Sequence, residues 1–239
     1  DSLVARLRAV RWWAPFLSPV AGGALAVGVI LVWSAALTQP DGRLHIWFLD
    51  VGQGDGILIQ TPRGRQVLID GGMNPEVLLA QLGEVMPFWD RTIDMAVLTH
   101  PDNDHMTAQI EIPARFEVDT GVETDASHQD PKADPWRIAM AQGAVKLQVE
   151  PAGGWIDLGD GVALWVLWPP ASEGRAGEAG NDSSLVLKLV YGNFSVLLTC
   201  DAEQPSEATW LQTQLPLRST VLKVGHHGSA KSTTAALVA

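Results

Sequence analysis

LTHPDNDHMTA, residues 98–108, sets two histidines and two aspartates within the six positions from His100 to His105. The apolar run IDMAVL just before it reads as a buried strand, so the polar cluster stands where a strand opens into a loop. Ligand sites in layered α/β folds gather at such strand ends. Taken alone, the stretch is equally an ordinary turn: Pro101 and Asn103 favour one, and the aspartates can cap a following helix. What flanks it separates the two readings.

Upstream, LHIWFLDV (44–51), GILIQTP (56–62) and RQVLIDGG (65–72) read as three strands, the first two joined by the glycine-rich GQGD. PEVLLAQLGEVM (75–86), opened by Asn74 and Pro75, predicts an amphipathic helix. Residues 107–154 predict a strand near Phe116, an acidic loop over Asp125–Asp134 and a helix over Pro135–Gln142. Strand rhythm resumes with VALWVLWPP (162–170), followed by a loop over 171–182. SSLVLKLVYG and FSVLLTCD then form a hairpin around Gly192 and Asn193. A helix over 202–215 and a strand in STVLKVGHHGS (219–229) complete the pass. Strands in two sets, each followed by a helix, imply an α/β fold with two packed sheets and helices outside.

The N-terminus has a different character. From Ala14 to Thr38 there is no charged residue, which is long enough for a bilayer span. Arg6, Arg8 and Arg11 precede it, and Trp12, Trp13 and Trp33 suit its interfaces, so the flank predicts a cytoplasmic N-terminus and an exported remainder. The chain is thus expected to divide into a basic flank, transmembrane helix and linker (1–43) and a folded domain (44–239). A formal net charge of −11 argues against loose nucleic-acid binding through the general surface field. Cys200 is the single cysteine, which excludes an internal disulfide and a cysteine-based zinc site.

Three strand ends present metal-type side chains: His100, Asp102, Asp104 and His105; Asp201; His226 and His227. DVGQGD adds Asp50 and Asp55. Imidazole with carboxylate suits Zn²⁺, Mn²⁺ or Fe²⁺, and the share of oxygen donors leans toward Mn²⁺. His100 and Asp102 can serve one ion and Asp104 and His105 a neighbour, with Asp201 bridging. Two ions about 3.5–4 Å apart would hold a hydroxide and neutralise a phosphodiester under in-line attack. Each piece alone has a bland reading: HHGS as a chance pair, Asp201 as a helix cap, DVGQGD as a glycine turn. His45 and His128 read as strand-face and loop residues. Four of the six histidines nonetheless fall in the two loops where a dinuclear site needs them.

In order along the chain, DVGQGD, LIDGG, HPDNDH, NDSSLVL, LLTCDA and LKVGHHGS resemble the C-terminal metallo-β-lactamase-fold domain of ComEC-type DNA-uptake (natural competence) membrane proteins. The resemblance covers residues 44–231. It implies an αββα sandwich, preceded by one transmembrane helix and truncated at the C-terminus. It further implies two divalent ions (Mn or Zn), DNA, the membrane and the rest of the uptake channel and competence machinery as partners, and a soluble domain outside the cytoplasmic membrane. The activity implied is hydrolysis of the non-transported DNA strand; a non-catalytic DNA-guiding or channel-bracing module and a hydrolase of another envelope phosphodiester are the alternatives. Carried over by position, His100 and Asp102 bind the first ion, Asp104 and His105 the second, and Asp201 bridges. One of His226 and His227 completes the second site while the other faces the scissile phosphate beside Ser229. Asp104, His226 and His227 carry the catalytic roles, and Asp50, Asp55 and Asp70 support the ligand loops. For a third group on the first ion the candidates are Asn181, Asp182 and His128. MTA after His105 and TCD before Ala202 depart from the glycines that the family has there.

Overall fold

The computed structural model describes residues 19–37, 39–170 and 180–239. The chain divides into two compact units, residues 1–39 and 40–239. The first contains helix α1 (Pro19–Leu37), 19 residues without a charge. Residues 14–18 and Thr38 of the expected span lie outside the described residues, as do the three flanking arginines, Trp12 and Trp13. Among the described residues no helix is long and apolar enough to cross a membrane. The expected span is therefore not established there.

The second unit is built on two sheets. The first has six strands in chain order: β1 (His45–Phe48), β2 (Gly56–Gln60), β3 (Gln66–Asp70), β4 (Thr92–Val97), β5 (Glu117–Glu123) and β6 (Lys146–Val149). Its first three strands are antiparallel and the rest run parallel. The second sheet contains β7 (Trp155–Gly159), β8 (Val162–Trp168), β9 (Val186–Tyr191), β10 (Phe194–Leu198) and β11 (Val221–Lys223), with β11 at one edge, parallel to β10.

Alternation along the strands explains the layering. Ile57, Ile59, Val67 and Ile69 point from the first sheet into a core shared with Val162, Leu164, Val166, Leu187 and Leu189 of the second. Leu58 and Leu68 point the other way, onto Leu78 and Leu82 of helix α2 (Pro75–Val85) and, in the same cluster, Trp136 and Met140. Behind the second sheet, Leu167, Val186 and Leu197 pack with Trp210. Fully burying each such side chain contributes about 1.5–3 kcal/mol. A one-residue slip of β2 would exchange its two buried faces and with them every packing partner. The result is the expected αββα order.

Two segments differ from the sequence reading. Asp125–Asp134 is not a loop: it forms helix α4 (Asp125–Gln129), a 3₁₀ turn (Pro131–Ala133) and the start of α5 (Asp134–Gln142). Thr124 and Asp130 accept first-turn N–H groups of the short elements, a capping role that sequence alone confuses with loop polarity. Strand β6 is exposed at all four residues, so it carries no alternation to read.

Candidate metal centre

Asp70 ends β3, Thr99 and His100 follow β4, Asp201 follows β10, and His226 and His227 follow β11. Backbone geometry at these ends is unusual. Asp70, Cys200, His226 and His227 all have φ between 44° and 55°, a left-handed conformation that costs a side-chain-bearing residue of order 1–3 kcal/mol. The bland capping readings do not hold. Asp102 stands at the N-cap of helix α3 (Asn103–Met106) yet makes no side-chain cap bond, and the N-cap of helix α6 (Gln204–Gln212) is Glu203 rather than Asp201.

The glycine loop between β1 and β2 locks onto this end of the sandwich. Gly54 has φ 103°, and a Cβ there would overlap the Asp104 carbonyl oxygen, so only glycine lets the two loops meet. Gln53 Nε2 donates to Asp104 Oδ2 at 2.9 Å. DVGQGD is thus more than a tight turn.

Four imidazoles converge on one carboxylate oxygen. The Nε2 atoms of His100, His105, His226 and His227 stand 3.9, 3.2, 3.7 and 3.3 Å from Asp201 Oδ2. Each ring has a neighbour at Nδ1: Thr99 Oγ1 at 3.1 Å for His100, Asp70 Oδ2 at 2.8 Å for His105 and Asp55 Oδ1 at 3.3 Å for His227, while His226 Nδ1 has Glu203 Oε1 at 3.0 Å without an aligned hydrogen bond. Holding a histidine by one nitrogen fixes the direction and availability of the other. Thr99 also donates its hydroxyl to Asp70 Oδ2 at 2.7 Å, and its N–H donates to Asp70 Oδ1.

Among the described residues, Nε2 of His100 and His105 and Oδ1 of Asp201 are buried without a hydrogen-bond partner. Leaving a buried polar group unsatisfied costs about 1–3 kcal/mol, and a cation among these atoms answers all three. Ligand atoms of His100, His105 and Asp201 lie close enough to share one ion, as do those of Asp104, His105 and His227 and those of Asp55, Asp201 and His227. The donor set of imidazoles and carboxylates fits a borderline divalent metal.

Electrostatics follow the same geometry. Burial pushes the Asp201 carboxyl up, but the close His105 and His227 rings and the charges of His105 and His100 hold it well below the usual range. Burial opposes protonation of His105, and the Asp70 charge, with the nearby Asp201 carboxylate and the bond to Asp70, overcomes it, leaving the ring well above the ordinary imidazole value. Bonds to Asp201 and Asp55 raise His227 to about 9. Burial, then the His105 charge, pushes His100 down. Without metal, the charged Asp201 carboxylate and the raised His105 and His227 rings thus sustain one another.

Not every expected residue joins the cluster. Asp102 sits at the rim, with Oδ2 3.8 Å from His100 Nε2 and Oδ1 3.7 Å from Lys132 Nζ. Asp70 Oδ2 stands 2.8 Å from His105 Nδ1, and Asp55 Oδ1 stands 3.3 Å from His227 Nδ1 while its Oδ2 pairs with Lys223 Nζ at 2.6 Å. Asp50 is exposed and accepts only Gly52 N–H at 3.4 Å, so it shapes its own turn. Ser229 Oγ accepts Lys231 N–H at 3.3 Å, closing a turn instead of meeting an imidazole. Asp182 accepts Glu203 N–H and Ser206 Oγ, and His128 pairs with Glu123. Both therefore serve structure. Gln53, Thr99, Glu203 and Lys223 belong to the site and escaped the sequence reading. Their signal was position alone, one to three residues from a residue already singled out. The departures are accommodated: Met106 and Ala108 are buried in the outer core, and Cys200 is buried with its carbonyl accepting His226 N–H at 2.7 Å.

Residues 49–239 match the family model described as the metallo-beta-lactamase superfamily. Among curated proteins, ComE operon protein 3 of Bacillus subtilis (strain 168) is 28% identical over 230 residues, 90% of this chain and 29% of that protein. Recombination protein 2 of Haemophilus influenzae is 30% identical over 190 residues, 78% of this chain and 21% of that protein. Competence protein ComA of Neisseria gonorrhoeae is 28% identical over 215 residues, 88% of this chain and 27% of that protein. The chain thus spans less than a third of the length of each of these relatives. These similarities bear out the ComEC-type resemblance of the six motifs and, with the match over 49–239, establish that the chain belongs to the metallo-beta-lactamase superfamily.

Proposed function

We propose that the second unit is a metal-dependent phosphodiesterase that hydrolyses DNA, the non-transported strand at an uptake channel. The observation that supports it most is the convergence of four imidazoles on Asp201 Oδ2. His100, His105 and Asp201 would hold one divalent ion, and His227 would hold a second, either with Asp104 beside His105 or with Asp201 beside Asp55. Mn²⁺ or Zn²⁺ bound there supplies a hydroxide at neutral pH and neutralises phosphate charge. The chain's own residues do the rest. Gln53 orients Asp104, Asp70 orients His105, and Asp55 orients His227. His226 is 26% exposed, faces the same oxygen from beside Glu203, and is placed to hold or release a proton toward a bound phosphodiester. Lys132 at the rim offers a cation to the strand.

Acidic composition fits a weakly held, delivered substrate: the cluster repels phosphate until its charge is compensated, and bound cations reverse the local sign. Membrane placement rests on the uncharged run 14–38 and its arginine flank, of which the described helix covers a part. That placement predicts resistance to alkaline carbonate extraction for the 239-residue chain; quantitative release by carbonate would contradict it. For the hydrolase, labelled single-stranded and duplex DNA are incubated with the chain and Mn²⁺. Cleavage lost on chelation and in Asp104→Asn and His226→Ala, with circular dichroism unchanged, is expected. No cleavage by the metal-loaded chain would overturn it and favour the DNA-guiding module; cleavage retained in both variants would overturn the assignment of this site.

A further inference from the structure

Glu203 occupies the N-cap of α6, where a carboxylate ordinarily accepts first-turn N–H groups, yet its side chain makes no cap bond. It is turned elsewhere. Oε1 stands 3.0 Å from His226 Nδ1 and accepts Asn181 Nδ2–H at 3.4 Å, while the Glu203 N–H donates to Asp182 Oδ1 at 3.1 Å. His226 Nδ1 is buried without an aligned hydrogen bond, and the Glu203 carboxylate at 3.0 Å is the charged group that faces it. A helix cap forgone for an imidazole contact needs a reason.

We infer that Glu203, gripped by the 181–182 turn, is a positioning residue that keeps the proton of His226 on Nδ1 and leaves Nε2 bare toward Asp201. The three other site imidazoles already show the pattern, each with Nδ1 against Thr99, Asp70 or Asp55 and Nε2 facing the same oxygen. Glu203 supplies the fourth grip. It also gives NDSS a task other than ligation: Asn181 and Asp182 hold the residue that holds His226. The two neighbouring histidines are separated by their anchors, Glu203 for His226 and Asp55 for His227. This deepens the proposed hydrolase, since ligand and proton carrier alike need a bare Nε2.

The test uses imidazole ¹⁵N spectra of the metal-free 239-residue chain in alkaline buffer, with His226 assigned from His226→Gln. Wild type and Glu203→Gln, whose amide oxygen still accepts, are expected in the Nδ1–H form; Glu203→Ala is expected to shift toward Nε2–H. Titration with Mn²⁺ should weaken about 10–100-fold in Glu203→Ala and less in Glu203→Gln. Because the side chain caps nothing, neither variant should lose helicity, and Asn181→Ala provides a milder probe if one does. An unchanged tautomer with unchanged Mn²⁺ affinity in Glu203→Ala would overturn the inference. The tautomer is read without metal or DNA, so a Glu203-dependent Nδ1–H in a chain that cleaves nothing would keep this inference and remove the hydrolase.

Discussion

Asp201 Oδ2 faces four imidazole nitrogens within 3.9 Å, and single residues around it hold each of them in place. The tightest constraint is Gly54, whose φ of 103° and backbone contact with Asp104 leave no room for a side chain. Gly54→Ala is expected to destabilise the fold by about 1–3 kcal/mol, the usual range for overpacking, and to weaken metal binding by displacing Asp104. Urea denaturation and Mn²⁺ titration check the two effects; unchanged values for both would show that the loops do not depend on one another. At this scale the histidines and Asp201 were legible, because imidazoles at strand ends are rare and chemically loud. Glu203 was not: a glutamate at a helix start reads as a cap, and only the direction of its carboxylate shows otherwise.

Strands and helices position these residues, and the best-tied element lies beside the site rather than in it. Glu123, fully buried at the end of β5, meets Arg137 of α5 at 3.1 Å and His128 of α4 at 2.8 Å, and Arg137 also donates to the carbonyls of Ser127 and Asp130. Glu123→Ala is expected to cost about 2–4 kcal/mol, below the extreme for a stranded buried charge because Arg137 keeps Asp134 and two carbonyls. The loss should appear in thermal or urea unfolding while the metal-to-protein ratio stays at the wild-type value; a changed ratio would tie this network to the metal pocket. β2, β3 and β4 were legible because their residues are apolar without interruption or in alternation. α4 and β6 were not. The first is five residues held by caps and a buried ion pair, and the second is exposed along its whole length. Tertiary contacts that no local pattern encodes decide both.

Across the whole molecule, proton and metal compete for the same atoms. Without metal, His105 lies well above its ordinary value and His227 near 9. Their contribution to stability is full below the unfolded imidazole value of about 6.5. It is lost as pH rises through the folded values. Asp201 is lowered, so its contribution is present above the ordinary carboxylate range and fades in acid. The chelated chain should therefore lose stability from about pH 6.5 to 9, and the gain in melting temperature on adding Mn²⁺ should grow over that interval because metal replaces the departing protons. Melts in chelator and in Mn²⁺ across this range check it; a gain that shrinks with pH would contradict it. Most direct of all is the metal content of the chain itself, measured by elemental analysis after equilibration with Mn²⁺ and desalting, for wild type and Asp201→Asn. Two ions per wild-type chain and a clear loss in the variant are the expected result; a wild-type chain that retains none would contradict the metal centre at its core.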